Sequence, residues 1–124
     1  MSQVQGVPSI TPADAAAAQR EGGPDTGPLL IDVREPDEFA TERAEGAILL
    51  PISEFAERHE ELPRDRPLLM ICQSGSRSMS ATMFLLQRGW TDVRNVDGGT
   101  TAWVKAGLPS RRGEPEPGEG ELPG

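Results

Sequence analysis

The only cysteine of the chain stands in "LLMICQSGSRS", residues 68–78, where an apolar run meets an amphipathic stretch. A lone cysteine is ordinarily a buried apolar filler, but Cys72 has a setting that could do chemistry. Gln73, Ser74, Gly75 and Ser76 are small or polar enough to curl so that successive N–H groups converge above the sulfur and form an anion nest. Gly75 admits the positive φ that such a curl needs. The start of the following helix and the guanidinium of Arg77 both favour thiolate over thiol, and thiolate is the nucleophile. A Cys–His dyad is not available in the same way: the single histidine, His59, lies in the polar stretch "ERHEEL" and is expected to be solvated. Electrostatic activation is the mechanism left. On spacing alone the loop also fits an ordinary strand-to-helix turn with a capping serine.

The elements that must position this loop are legible as alternation. "PLLIDV" (28–33), "AILLPI" (47–52), "PLLMIC" (67–72) and "DVRNV" (92–96) read as strands, and the first three are apolar on both faces, as in a covered parallel sheet. Between them lie helix candidates. "TPADAAAAQREGG" opens with Thr11 as N-cap and Pro12 at the first helical position, with Asp14 in a capping-box-like place. "PDEFATERAEG" and "SEFAERHEEL" begin with acidic or capping residues. After Cys72, the i, i+4, i+7 spacing of Met79, Met83 and Leu86 predicts a helix burying that face and closed by Gly89. Strand, helix, strand, helix in order predicts an α/β fold with right-handed crossovers. Cys72 then sits at the carboxyl end of a strand, where ligands bind in open α/β sheets.

A chain of 124 residues suits one domain. We expect a domain over 8–110, an N-terminal tail over 1–7, and a disordered acidic tail over 111–124. That last segment ends in "GEPEPGEGELPG" and has few apolar side chains to offset its ordering entropy. One cysteine and one histidine exclude an intrachain disulfide and a Cys/His zinc cage, so neither metal nor cofactor is expected. The N-terminus lacks a signal-peptide pattern and no apolar run is long enough to span a bilayer, which makes a cytoplasmic protein the expectation. The net charge of −8 argues against nucleic acid and anionic membrane as partners. The same field repels a small anionic substrate, so an anion site must be built locally, and neutral salt is expected to speed a dianionic donor's approach.

With these residues in place, the chain resembles the single-domain rhodanese-like sulfurtransferases over residues 8–109. The resemblance rests on "LLIDVREPDEF", "GAILLPISEF", "LLMICQSGSRS" and "LQRGWTDVRNVDGGTTAWVKAGLP", in that order. It implies a three-layer fold, a five-stranded parallel sheet with helices on both faces, with Cys72 as the residue that carries a persulfide. It implies a double displacement in which Cys72 takes a sulfane sulfur from a small donor anion such as thiosulfate, or from a persulfide, and passes it to cyanide or a thiol. The backbone amides of Gln73, Ser74, Gly75, Ser76 and Arg77 would hold the donor and then the persulfide, and Arg77 would add a bidentate fork. Asp32, Arg34 and Ser78 are expected as supporting residues, with a plain ion pair as the alternative for the first two. Trp103 and the Gly98-Gly99 pair read as structural.

The chain departs from the family's pattern at Glu42 and Arg43, where a Gly-His pair is frequent, and it lacks further cations directly after the cysteine. A strong preference for thiosulfate therefore does not follow. Phosphatases of the cell-cycle dual-specificity type share the fold but place five residues between cysteine and arginine, whereas this chain has four, Gln73 to Ser76, a cradle better sized for sulfur than for phosphate. The remaining alternatives are a persulfide carrier feeding a sulfur-accepting protein, and a non-catalytic binding or regulatory module.

Overall fold

The computed structural model describes residues 7–123, so the expected N-terminal tail lies outside it except for Val7. The elements run β1 (Ser9–Ile10), α1 (Pro12–Glu21), β2 (Leu29–Asp32), α2 (Pro36–Thr41), β3 (Glu42–Ala44), β4 (Ile48–Leu49), α3 (Ile52–Arg58), a 3-10 turn (His59–Glu61), β5 (Leu68–Ile71), α4 (Ser76–Gln87), β6 (Val93–Val96), α5 (Gly99–Lys105) and β7 (Ser110–Arg112). Five strands form one parallel sheet in the order β1-β6-β5-β2-β4. The chain is thus the expected α/β three-layer fold.

Strand alternation divides the core in two. Leu29, Ile31, Leu68, Met70 and Val93 face a cluster closed by Phe55, Ala81 and Leu85, whereas Leu30, Leu69, Ile71 and Val96 face Ala15, Ala16, Phe39 and Trp103. Helices α3 and α4 therefore cover one face and α1, α2 and α5 the other. This double burial is why the strands read as continuous apolar runs. Thr11 caps α1 as expected, its hydroxyl accepting from the Asp14 amide at 3.1 Å.

After β2 the chain turns to β4 on one side, and it then crosses to β5 on the other. The loops leaving β2 and β5 consequently diverge, which opens a crevice at their carboxyl ends. Asp32 is in register with Ile71, directly beside Cys72.

Three expectations need correction. Helix α4 buries Ser78, Ala81, Thr82 and Leu85, while Met79 and Met83 are each 44% exposed. The helix lies close on the sheet through its small residues, and the methionine stripe is turned outward by about one position. His59 is not solvated: its ring packs edge-on against Phe84 and beside Trp90, with Nδ1 bonded to the Ala56 carbonyl at 2.8 Å.

The acidic tail is ordered. Ser110–Arg112 pairs antiparallel with Glu42–Ala44, the Leu49 amide donates to the Gly120 carbonyl at 2.8 Å, and Leu122 packs on the core. The physical reason is Arg43, which is 1% exposed and needs acceptors. It donates to Glu119 through Nε (2.6 Å) and Nη2 (3.0 Å), and to the carbonyls of Gly113 and Phe39 through Nη1. A buried guanidinium thus ties down a segment that apolar burial alone would not hold.

Candidate active site

Central strand β5 delivers Cys72 to the floor of a tight loop, where the residue is 1% exposed. Gly75 turns the loop with φ +111° and is the residue before α4. That left-handed turn aims the Gly75 amide back at the sulfur, and N–H donates to Sγ at 3.1 Å. Ser78, one helical turn on and fully buried, places its hydroxyl 3.2 Å from Sγ. Burial opposes ionisation of the thiol, but the Ser78 hydroxyl and the amides of Ser78, Gly75 and Ser74 outweigh it, and the Cys72 pKa is lowered. The positive φ expected of Gly75 is present, and of the loop amides expected over the sulfur those of Ser74 and Gly75 reach it.

The loop is held from behind by α5. The amide and hydroxyl of Thr100 donate to the Cys72 carbonyl at 2.8 and 3.0 Å, and the Thr101 amide donates to the Gln73 carbonyl at 3.1 Å. This approach requires Gly99 (φ +62°): a Cβ there would lie 2.5 Å from the Cys72 carbonyl oxygen. The Gly98-Gly99 pair, read from sequence as a turn, therefore also shapes the cysteine loop.

Asp32 and Arg34 join the site as a buried pair. Arg34 donates through Nε and Nη2 to the Asp32 carboxylate at 2.9–3.2 Å, through Nη2 to the Glu42 carbonyl at 2.7 Å, and through Nη1 to the Gln73 side-chain oxygen at 2.9 Å. The Gln73 amide nitrogen donates in turn to the Thr101 hydroxyl at 2.8 Å. Arg34 thus connects the β2 end to the cysteine loop through Gln73. A groove of about 450 Å³, lined by Arg34, Glu38, Gln73, Thr101 and Lys105 among others, opens beside the loop.

Arg77 is arranged differently from expectation. Its two terminal nitrogens each donate to Glu38 of α2 at 2.8 Å. The Arg77 bond is the main reason Glu38 is held at a pKa of about 2, and Arg77 itself is pushed up. The fork foreseen for an oxyanion is filled by a carboxylate. Ser74 and Ser76 are exposed on the loop. Among the described residues, no three His, Cys, Asp or Glu side chains gather as a metal-binding group, and no helix is long and apolar enough to cross a membrane.

Residues 11–106 match the family described as Rhodanese-like domain. The chain belongs to the rhodanese-like family. Among its relatives, a protein named Sulfurtransferase from Allochromatium vinosum is 41% identical over 81 residues, covering 65% of this chain and 76% of that protein. One named Thiosulfate sulfurtransferase GlpE from Pseudomonas syringae is 35% identical over 92 residues, 74% of this chain and 83% of that protein. The crystal structure of a rhodanese-related protein from Thermoplasma volcanium superposes with a TM-score of 0.75 at 34% identity, covering 84% of this chain and 97% of that one. This rhodanese-like chain thus shares sequence with proteins named for sulfur transfer and architecture with a rhodanese-related protein.

Glu38, Thr100, Thr101 and Asn95 were not singled out from the sequence. Asn95 had one visible signal, an amide two residues after Val93 and so on the same face of the "VRNV" strand, ahead of the Gly-Gly turn. Glu38 had none, because its partner lies 39 residues away.

Proposed function

We propose that this protein is a sulfurtransferase that works through a Cys72 persulfide. The observation that carries the reading is the Cys72 sulfur itself, lying beneath the Gly75 amide and the Ser78 hydroxyl with its pKa lowered. The thiolate attacks the sulfane sulfur of a donor. A bond forms between Cys72 Sγ and that sulfur as the donor's own bond to it breaks, and the electron pair leaves on sulfite when the donor is thiosulfate, or on a thiolate when it is a persulfide. An acceptor nucleophile, cyanide or a thiolate, then attacks the outer sulfur, and the electron pair returns to Cys72. The loop amides of residues 73–77 hold the negative charge that develops at each stage. Asp32 and Arg34 act at one remove, keeping Gln73 and hence the loop in place, and Ser78 supports the sulfur directly.

Donor preference follows from charge. With Arg77 neutralised by Glu38, Arg34 by Asp32 and a net charge of −8, the exposed Lys105 at the groove is a weak draw for a dianion, which favours a persulfide over thiosulfate as the better donor. The test is thiocyanate formation from cyanide with each donor, for the wild type and Cys72→Ser. Turnover with the wild type alone supports the reading. Equal rates for both proteins, or no turnover with either donor, contradict it.

A further inference from the structure

Asn95 stands in β6, 3% exposed, and touches the cysteine loop at Gly75 and Ser78. Its Nδ2 donates to the Gly75 carbonyl at 3.2 Å, and its Oδ1 lies 2.5 Å from the Ser78 hydroxyl. The first contact fixes the second, because a carbonyl only accepts: the amide nitrogen must face Gly75, so the amide oxygen must face Ser78. An amide oxygen also only accepts. A hydroxyl has one proton, and Ser78 has three acceptors within reach: Asn95 Oδ1 at 2.5 Å, Cys72 Sγ at 3.2 Å and the Gly75 carbonyl at 3.3 Å.

We propose that Asn95 is a positioning residue that competes with the Cys72 sulfur for the single proton of Ser78 and thereby sets how readily the thiolate forms. With the thiol present, the Ser78 proton lies on the Asn95 bond and the S–H group donates to the Ser78 oxygen. Ionisation releases the thiol proton to solvent. Ser78 then rotates its proton to the sulfur, which leaves two acceptor oxygens facing each other at the Asn95 contact. That lost bond makes the thiolate harder to reach than Ser78 alone would allow.

The charges on the neighbouring elements are two pairs, Arg77 of α4 with Glu38 of α2 and Arg34 with Asp32 at the end of β2, and the exposed Lys105 of α5 at the groove. In direct reach of the buried sulfur and its loop, β6 and α5 present the neutral Asn95, Thr100 and Thr101. The neutral hydrogen-bonding groups are therefore the ones that touch the loop from that side.

This inference rests on Cys72 as the reacting atom of the proposed function, but its readout does not require sulfur transfer. The experiment is the pH dependence of Cys72 alkylation by iodoacetamide in the wild type, Asn95→Leu, Ser78→Ala and the double variant. Leucine is close in shape, and the Gly75 carbonyl keeps the Met79 amide at 3.1 Å. Asn95→Leu is expected to lower the Cys72 pKa by roughly half a unit to one unit, the worth of one released hydrogen bond. Ser78→Ala is expected to raise it, and the Asn95→Leu shift is expected to vanish in the Ser78→Ala background. An unchanged or raised pKa in Asn95→Leu, or the same fall with Ser78 absent, overturns the proposal.

A second measurement needs no substitution at either position. The side-chain amide resonances of Asn95 in the wild type should titrate with the Cys72 pKa and be flat in Cys72→Ser. An Asn95 amide indifferent to Cys72 ionisation overturns the proposal equally. Absence of any persulfide on the wild type would instead count against the proposed function and leave these pKa shifts standing.

Discussion

Replacing Glu38 with Gln asks whether the loop arginine is restrained or aimed by its carboxylate. In the wild type both terminal nitrogens of Arg77 are spent on Glu38 at 2.8 Å, and Glu38 stays ionised down to a pH of about 2. Glutamine keeps the shape but offers one neutral acceptor, and its NH2 group faces the second guanidinium nitrogen. One N–H is freed and the Arg77 charge loses its counter-ion.

A charge-assisted hydrogen bond from the freed group to a donor oxygen is worth about 1.5–3 kcal/mol. Competition with water and looser positioning of the side chain discount this to roughly 1.4 kcal/mol, or about tenfold. The pair is about a third exposed, so its loss should cost no more than about 1 kcal/mol of stability. The expected result is a KM for thiosulfate lower by about five- to tenfold, with kcat within about threefold and a smaller fall in KM for a small persulfide donor, which offers no oxyanion oxygens to the freed N–H. The assay is initial-rate thiocyanate formation at saturating cyanide and fixed ionic strength. A KM for thiosulfate that is unchanged or higher would refute the reasoning and show that Glu38 aims Arg77 at the donor rather than occupying it.

Two further outcomes follow from the supports of the site. Glu119→Gln removes the counter-ion of buried Arg43, and after allowing for the 18% exposure of the Glu119 side chain it should cost about 1–2 kcal/mol in chemical denaturation. Because Arg43 holds the folded pKa of Glu119 at about 2, below the ordinary 4.5, this contribution is present above about pH 4.5 and is lost as pH falls toward 2. The stability difference between wild type and variant should therefore shrink over that window, and a difference independent of pH would contradict it. Gly99→Ala drives a Cβ to 2.5 Å from the Cys72 carbonyl oxygen and 2.6 Å from that of Gln73, at φ +62°. It should lower stability by about 2–4 kcal/mol and kcat/KM by on the order of tenfold. Gly23→Ala, where a Cβ has only Thr26 Oγ1 near it at 3.9 Å, should change stability by less than about 0.5 kcal/mol and serves as the control.

What the sequence made legible was local. The apolar runs from Leu29 and Leu68 announced buried parallel strands because both of their faces are covered. The run "CQSGSRS" made a tight loop legible because its small residues let the backbone curl closely and Gly75 admits a positive φ. The two-residue strand β1 carries too little pattern to be read from sequence, and the strand read over 47–52 shortens to Ile48–Leu49 because Pro51 and Ile52 open α3.

Periodicity misplaced the inner face of α4 because Met79, Met83 and Leu86 satisfy the helical repeat as well as Ser78, Ala81, Thr82 and Leu85 do. What decides between the two faces is how closely the helix must approach the sheet, and that distance is set by residues far along the chain. Composition misjudged the tail for a related reason. It weighs apolar burial, whereas the tail is held by strand pairing at Glu42–Ala44 and by the need of Arg43 for Glu119, 76 residues on. The Arg77–Glu38, Arg34–Gln73 and Ser78–Asn95 contacts are of the same kind, each joining residues on different elements.

The measurement that bears most directly on the central claim is the intact mass of the wild type and of Cys72→Ser after brief exposure to a persulfide or to thiosulfate, before and after addition of cyanide. The account predicts a gain of one sulfur atom on the wild type alone, discharged by cyanide as thiocyanate in equal amount. A wild-type protein that gains no sulfur from either donor, or a Cys72→Ser variant that gains it equally, would contradict sulfur transfer through Cys72.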